Sequence, residues 1–485
     1  MTKLKDLIRR LAGDPEAGTA GRKARLAGLI GVPVAGAFLL GAIVGVLGEN
    51  ISAGSTVILL AIPVAIAGGL VAGRVVLDGA MQLRGGQKAG WLTEKLAPLN
   101  VTADPDQPMR VEIIHPAVDL KHFFGGFIAV FNLARRLTEV GNQVRIITLE
   151  PLSLPSDWRD RVASYEGIGN SVNQLEVVDG SDRSKPIHMN PSDRLIATHW
   201  TAAHIASGAA RELDQSSFTY LIQEYEPLIF PMGSAAALAD QSYELEHGAI
   251  FSTGFLRDYF REQEIGVYRP GGPGDEAAVT FRNAITPAAE VTEGELRGHD
   301  RRRLLFYARP EAHAERNLFE IGIMALDRAL ASGHFRDWDI AGIGNVDGTS
   351  ELVLPESKVR MRMLPRVAQR EYADTLRQFD VGLALMYTPH PSLVPIEMAE
   401  AGLVTVTNTY ANKDRASLEA ISGNLIAAEP RIDSIEEALA TAEVMSRDLE
   451  ARVAGSRVDW PSNWDDALDD ETMAAIGRLA GQTLI

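Results

Sequence analysis

The chain has 485 residues, enough for two or three domains with cores of their own, and its 46% hydrophobic and 23% charged content is ordinary for a globular protein. A net charge of −17 argues against a nucleic-acid binder, because no basic surface can dominate such a field. Cysteine is absent, which excludes disulfides, thiolate chemistry and cysteine metal sites and fits a reducing compartment.

The N-terminus differs in kind from the rest. Leu26–Gly48 is an uncharged run of 23 residues and Asn50–Gly73 another of 24, separated by Glu49. Each matches the roughly 20 residues needed to cross a bilayer core, so the pattern predicts a transmembrane helical hairpin. Residues 1–25 carry seven Lys/Arg against three acids, and residues 74–95 carry four against two. The connecting loop has no basic residue. This bias puts both ends on the cytoplasmic side of the cell membrane. Gly41/Gly45 and Gly69/Gly73 have the spacing that lets helices pack closely, compatible with a homodimer through the anchor.

Residues 78–108 read as a juxtamembrane linker containing ADPDQP. Met109–His115 (MRVEIIH) then reads as a buried strand entering a turn with Gly125 and Gly126. An amphipathic helix follows, with Phe127, Val130, Phe131, Ala134 and Leu137 on one face, and then a strand to Thr148. Paired glycines at a helix start allow a ligand to approach the backbone, with the positive helix end behind them. Further strands are predicted at Arg194–Thr198, Thr219–Gln223, Ala249–Ser252, Leu304–Tyr307, Asp339–Ile343, Val381–Met386 and Thr405–Thr407. Strands alternating with helical segments indicate a parallel α/β architecture. The Gly-, Pro- and charge-rich stretch Tyr268–Arg303 reads as a hinge between two Rossmann-like halves.

The motifs after Met109 resemble the retaining family-4 GT-B glycosyltransferases, in the family's own order. They are the paired-glycine helix with Asn132–Arg136 (NLARR), Phe306–Asn317 (FYARPEAHAERN), Ile340–Gly344 (IAGIG), Met363–Arg366 (MLPR) and Pro389–Gly402 (PHPSLVPIEMAEAG). More narrowly, Gln223–Ser234 (QEYEPLIFPMGS), FYARP and PHPS resemble the WsaF-type rhamnosyltransferases of surface-glycan assembly. The resemblance implies a two-domain α/β fold with a nucleotide-sugar donor, dTDP-rhamnose in the narrower reading. It also implies retention of anomeric configuration and a lipid-linked or glycan acceptor. The expected division is 1–25 basic N-terminus, 26–77 hairpin, 78–108 linker, 109–290 acceptor domain, 291–432 donor domain and 433–485 helical region.

Glycosyl transfer from a nucleoside diphosphate sugar must neutralise charge on the departing diphosphate. The D-x-D matches are Asp104/Asp106 in the linker and Asp337/Asp339 entering a strand, neither at a strand end facing a cleft, so no metal or cofactor is expected. Positive side chains and helix dipoles are left to do the work. Arg309 follows a strand at the edge where ligands bind, and a guanidinium can give two parallel hydrogen bonds to diphosphate oxygens. The resemblance adds Arg366 and Arg316 as basic donor contacts. It makes Glu397 the second Glu of an E-x7-E motif, accepting a hydrogen bond from the ribose. Where the first Glu should stand, this sequence has Pro389, so either His390 substitutes or the donor sugar is held differently. Ser392 and Leu393 occupy the loop whose N–H groups would face the diphosphate, and His199 stands near the donor sugar. Glu224 and Glu226 follow another strand and could meet acceptor or sugar.

Other readings share the pattern. They are the same fold with a UDP- or GDP-sugar, and a non-catalytic membrane glycan-assembly subunit, for which Pro389 speaks. A dinucleotide oxidoreductase would want G-x-G-x-x-G, and neither HFFGGF nor GIGNVDG supplies it.

Overall fold

The computed structural model describes residues 90–120, 123, 125–345, 350–365, 367 and 369–479. The apolar runs predicted to form a membrane hairpin, and Arg366, lie outside them. No helix among the described residues is long and apolar enough to cross a membrane.

In chain order the first half contributes β1 (Asn100–Ala103), β2 (Val111–His115), α1 (Gly125–Glu139), β3 (Val144–Thr148), α2 (Trp158–Ala163), β4 (Glu176–Asp179), β5 (Pro186–Met189), β6 (Arg194–Ala197), α3 (Trp200–Glu212), β7 (Phe218–Ile222), α4 (Ser234–Gln241), β8 (His247–Phe251), α5 (Gly254–Glu262) and β9 (Ala278–Thr280). Among these, β4-β3-β2-β6-β7-β8-β9 form a parallel seven-stranded sheet, with β1 and β5 as a separate parallel pair. The expected strands fall within a few residues of those observed.

The second half contributes α6 (Glu293–Arg297), β10 (Arg303–Tyr307), α7 (Phe319–Ala331), β11 (Asp339–Ile343), β12 (Glu351–Val353), β13 (Arg360–Met363), α8 (Gln369–Leu376), β14 (Val381–Leu383), α9 (Val394–Glu400), β15 (Val404–Asn408), α10 (Arg415–Glu419), β16 (Leu425–Ala428), α11 (Ile432–Met445) and α12 (Leu449–Gly455). Its seven-stranded sheet runs β12-β13-β11-β10-β14-β15-β16, parallel except for the β12/β13 edge pair. Two Rossmann-like halves of this kind are the GT-B plan.

Parallel strands with helices on both faces are buried throughout, and all five residues of β2 are buried. One of them is Glu112, tolerated because Arg145, its register partner on β3, donates Nε and Nη2 to its two carboxylate oxygens at 2.8 and 2.7 Å. On α1 the predicted Val130, Phe131, Ala134 and Leu137 are fully buried and Phe127 packs partly buried beside them. Asn132 and Arg135 are buried on the same helix. The cover comes from α13 (Trp464–Ala467) and α14 (Asp470–Leu479), where Asp465 accepts from Arg135 at 2.6 Å and Asp470 from Arg136 at 2.8 Å.

The residues after 432 divide between the halves. Helix α11 packs Ile435, Ala438, Leu439 and Ala442 into the second core, whereas Trp464, Leu468, Met473 and Ile476 belong to the first. The chain therefore crosses twice. The crossings are laced by Ile285 N–H on Pro461 O (3.0 Å), Trp460 Nε1 on Asn283 O (2.8 Å) and Arg282 on Asp459 O (2.8 Å). Of the stretch read as a hinge, β9 is still part of the first sheet, so the passage to the second half begins after Thr280.

Candidate active site

The segments that follow β2 and β7 meet those that follow β10 and β14, at the carboxyl edge where open parallel sheets bind ligands. The paired glycines open α1 at that edge. A Cβ at Gly125 would lie 3.8 Å from Leu393 of the second half, and one at Gly126 would lie 3.5 Å from Gln223 Oε1. Gln223 Nε2 donates to Gly126 O at 3.3 Å. The helix start and the loop before α9 thus stand face to face.

That loop is tightly specified. His390 is buried, and its Nδ1 accepts from Ser392 N–H at 3.0 Å. Ser392 holds a left-handed backbone, φ +65°. Burial, with Lys413 and Arg316 nearby, keeps the His390 ring neutral, its pKa lowered to about 3. Lys413 lies behind the loop with no exposure, and its Nζ donates to Met386 O (2.6 Å) and His390 O (3.4 Å).

Arg309 stands just beyond β10, its side chain 13% exposed. Nε donates to Glu311 Oε2 at 2.9 Å, one Nη to Tyr307 Oη at 3.2 Å, and the other meets His313 Nε2 at 3.2 Å. Arg316 donates to His313 O at 3.1 Å and accepts Tyr387 N–H on its own carbonyl. Among the described residues its Nε is buried without a hydrogen-bond partner. Two guanidinium groups held through His313 are an arrangement suited to a diphosphate.

Glu397 lies in the first turn of α9, buried, with Oε1 accepting Thr286 N–H from the inter-half crossing at 3.0 Å. Burial raises its pKa. Glu397 and Tyr307 both lie near Tyr372. One residue turn on, Glu400 accepts Ala288 N–H at 3.1 Å, fastening the same crossing.

In the first half, His199 caps α3, its Nδ1 meeting Thr201 Oγ1 at 2.9 Å and Thr201 N at 3.3 Å. Desolvation, then the nearby His115 and Lys95, favour its neutral form. His115, at the end of β2, is a cleft-edge residue that the sequence reading passed over. Its Nδ1 contacts Thr198 Oγ1 at 2.6 Å, its ring packs edge-on to Phe127, and burial lowers its pKa to about 4.

Glu224 and Glu226 part company. Glu226 turns inward, its Oε2 accepting Trp200 N–H at 2.6 Å at the start of α3, with His199 Nε2 4.0 Å from Oε1. Its carboxyl holds up a helix end that carries His199, and burial raises it to about 8. Glu224 instead reaches across the cleft, Oε2 accepting from Thr388 Oγ1 at 3.1 Å. Thus Gly125, Gly126, Glu224, Arg316, His390, Ser392 and Leu393 come together where the halves meet, while His199 stays at the start of α3 in the first half and Arg309 and Glu397 stand after β10 and in α9 of the second.

Two family models match the chain in order, the WsaF N-terminal domain over residues 110–253 and the WsaF C-terminal domain over 302–440. The O-antigen biosynthesis protein RfbC of Myxococcus xanthus is 31% identical over 365 residues, which is 71% of this chain. The chain spans about a quarter (26%) of that protein's length. Among solved structures, Anabaena Alr3699/HepE in complex with UDP-glucose superposes with a TM-score of 0.51 at 11% identity, over 77% of this chain and 99% of that one. Its complex with UDP gives the same values. With both halves matched in sequence and the two sheets facing one cleft, this chain belongs to the WsaF family of GT-B glycosyltransferases.

Proposed function

We propose that this protein is a membrane-anchored, retaining glycosyltransferase that moves rhamnose from dTDP-rhamnose onto a lipid-linked or growing surface glycan at the cytoplasmic face of the cell membrane. The observation that carries the reading is the meeting of the paired-glycine helix start with the His390–Leu393 loop, flanked by Arg316 and Arg309. In this reading the diphosphate lies against the two guanidinium groups, with Arg366 as a third, and Glu397 meets the ribose. The glycosidic C–O bond to phosphate breaks as the acceptor oxygen bonds the same face of the anomeric carbon. The acceptor's proton passes to the departing phosphate. The side chains contribute orientation and charge stabilisation, with no metal or cofactor in the reaction. The relative named for O-antigen biosynthesis supports glycan assembly. The apolar runs 26–48 and 50–73 supply the anchor, which confines the cleft to the surface where a lipid-linked acceptor sits.

The test is a thermal-shift panel on the full-length chain in detergent with dTDP, UDP, GDP, ADP and NAD, followed by turnover with the matching nucleotide sugars. A shift with dTDP and turnover of dTDP-rhamnose support the reading. A shift with UDP or GDP alone replaces the donor. No shift with any nucleotide favours the non-catalytic subunit.

A further inference from the structure

The donor-side loop carries no carboxylate next to Thr388, since its neighbours are Tyr387, Pro389 and His390. The first half delivers one there. Glu224 stands two residues past the end of β7, and its Oε2 accepts from Thr388 Oγ1 at 3.1 Å while its Oε1 accepts Tyr225 N–H at 3.1 Å. Thr388 is wholly buried, so the contact is fixed from the second half. Two cations of the second half, Arg316 and the fully buried Lys413, favour the ionised form of Glu224, and Glu226 on its own half opposes it. Desolvation raises Glu224 to about 7 even with Arg316, the Tyr225 N–H, Thr388 Oγ1 and Lys413 favouring the ionised form.

An ionised carboxylate has about four lone-pair positions, and two are taken here, one on each oxygen. Gln223, the neighbour of Glu224, bonds Gly126 O, so the carboxylate stands next to the paired-glycine start of α1. In its ionised form the group repels a phosphate, and in either form it keeps an oxygen lone pair free to accept. A neutral hydroxyl donor is the complementary group.

We propose that Glu224, reaching over from the first half, accepts a hydrogen bond from a hydroxyl of the bound donor sugar, doing from across the cleft what no carboxylate of the donor-side loop can do. This deepens the glycosyltransferase reading and rests on it. A contact to the sugar and a mere latch between the halves make different demands. A sugar contact is felt by the nucleotide sugar and not by the nucleotide, whereas a latch is felt equally by both.

The test compares two ligands, dTDP and dTDP-rhamnose, on the full-length chain, or UDP and UDP-glucose where that is the pair the wild type turns over. Glu224→Ala is expected to weaken the nucleotide sugar by about tenfold to a hundredfold, the range for one charge-assisted hydrogen bond, with the free nucleotide changed less than about twofold. Thr388→Val removes the cross-cleft bond and keeps the carboxylate, and both ligands are expected to stay within about threefold of wild type. Glu224→Gln keeps the side-chain shape and serves if the alanine variant does not fold, with an expected loss of about fivefold or more confined to the nucleotide sugar. Parallel loss of both ligands in the Glu224 variants, or no loss of either, overturns the proposal. Failure of the wild type to turn over any nucleotide sugar overturns the reading beneath it instead.

Discussion

Substituting Gly344 by alanine isolates the placement of Arg309 from everything else in the second half. Gly344 follows β11 with φ +107°, a backbone region that costs an L-residue about 1–3 kcal/mol. An added Cβ would stand 2.8 Å from Tyr307 Cε2 and 3.0 Å from Arg309 Cδ, both inside contact distance. The Tyr307 ring and the Arg309 stem must give way together, and the guanidinium is tied to that same tyrosine at 3.2 Å. With about 2 kcal/mol lost and about 2–4 °C per kcal/mol for a unit of this size, the melting temperature should fall by about 4–8 °C. A displaced guanidinium should lower kcat/KM for the nucleotide sugar by about tenfold to a hundredfold, the usual consequence of misplacing a charge-stabilising group by about 1 Å. The control is Gly141→Ala, at φ +94° with nothing within 4 Å of the new Cβ. It should show the backbone cost with kcat/KM unchanged. Equal loss of activity in both variants, or wild-type turnover in Gly344→Ala, refutes the link between Gly344, Arg309 and the donor.

Three further outcomes follow from the geometry. Arg309→Ala and Glu397→Ala should each lower kcat/KM for the nucleotide sugar by about 100-fold or more while circular dichroism stays native, and full activity in both removes them from the donor site. Arg452→Ala should cost about 3–5 kcal/mol in urea unfolding of the second half, because Arg452 (1% exposed) pairs with the buried Asp380 at 2.9 Å and also bonds Gly402 O and Ser446 O. A loss under 1 kcal/mol would mean that His299 and the Arg303 N–H, at 3.1 and 3.0 Å from Asp380, satisfy it without the arginine. Burial raises Glu226 to about 8, so between about pH 5 and 8 the folded state keeps a proton that the unfolded chain has released, and stability falls as pH rises through that window. Glu226→Gln carries no such proton, so its melting temperature should decline less over the same range, and parallel pH profiles for variant and wild type would refute the burial argument.

Local patterns carried the sheets and one side of the cleft. The runs VEIIH and VRIIT, and the glycine pair before an apolar helix stripe, say strand, turn and helix without reference to anything distant. What they cannot say is which distant segment satisfies a polar group. The run Val381–Met386 is uniformly apolar and reads as one strand, yet β14 ends at Leu383 because Asn408 bonds both the N–H and the carbonyl of Met386, at 2.7 and 3.1 Å, in place of the ladder. The same holds for α1, whose buried Arg135 has its partner Asp465 on a segment 330 residues later that returns from the second half. Periodicity shows that Trp464, Met473 and Ile476 want a core but not whose core it is.

The site repeats the lesson at finer scale. Glu224 and Glu226 are two residues apart in one turn and indistinguishable in sequence. One is drawn inward by the bare N–H of Trp200 at a helix start, and the other is drawn outward by a threonine of the opposite half. Lys413, in the run Asn-Lys-Asp, has the signature of a solvated turn, but the carbonyls of Met386 and His390 converge on it and hold it where no water reaches. Burial lowers its pKa to about 7, with Glu224 pulling the other way, so what holds it is the pair of carbonyl acceptors. The loop that faces the paired glycines is therefore backed by Lys413 and met from the other half by Glu224.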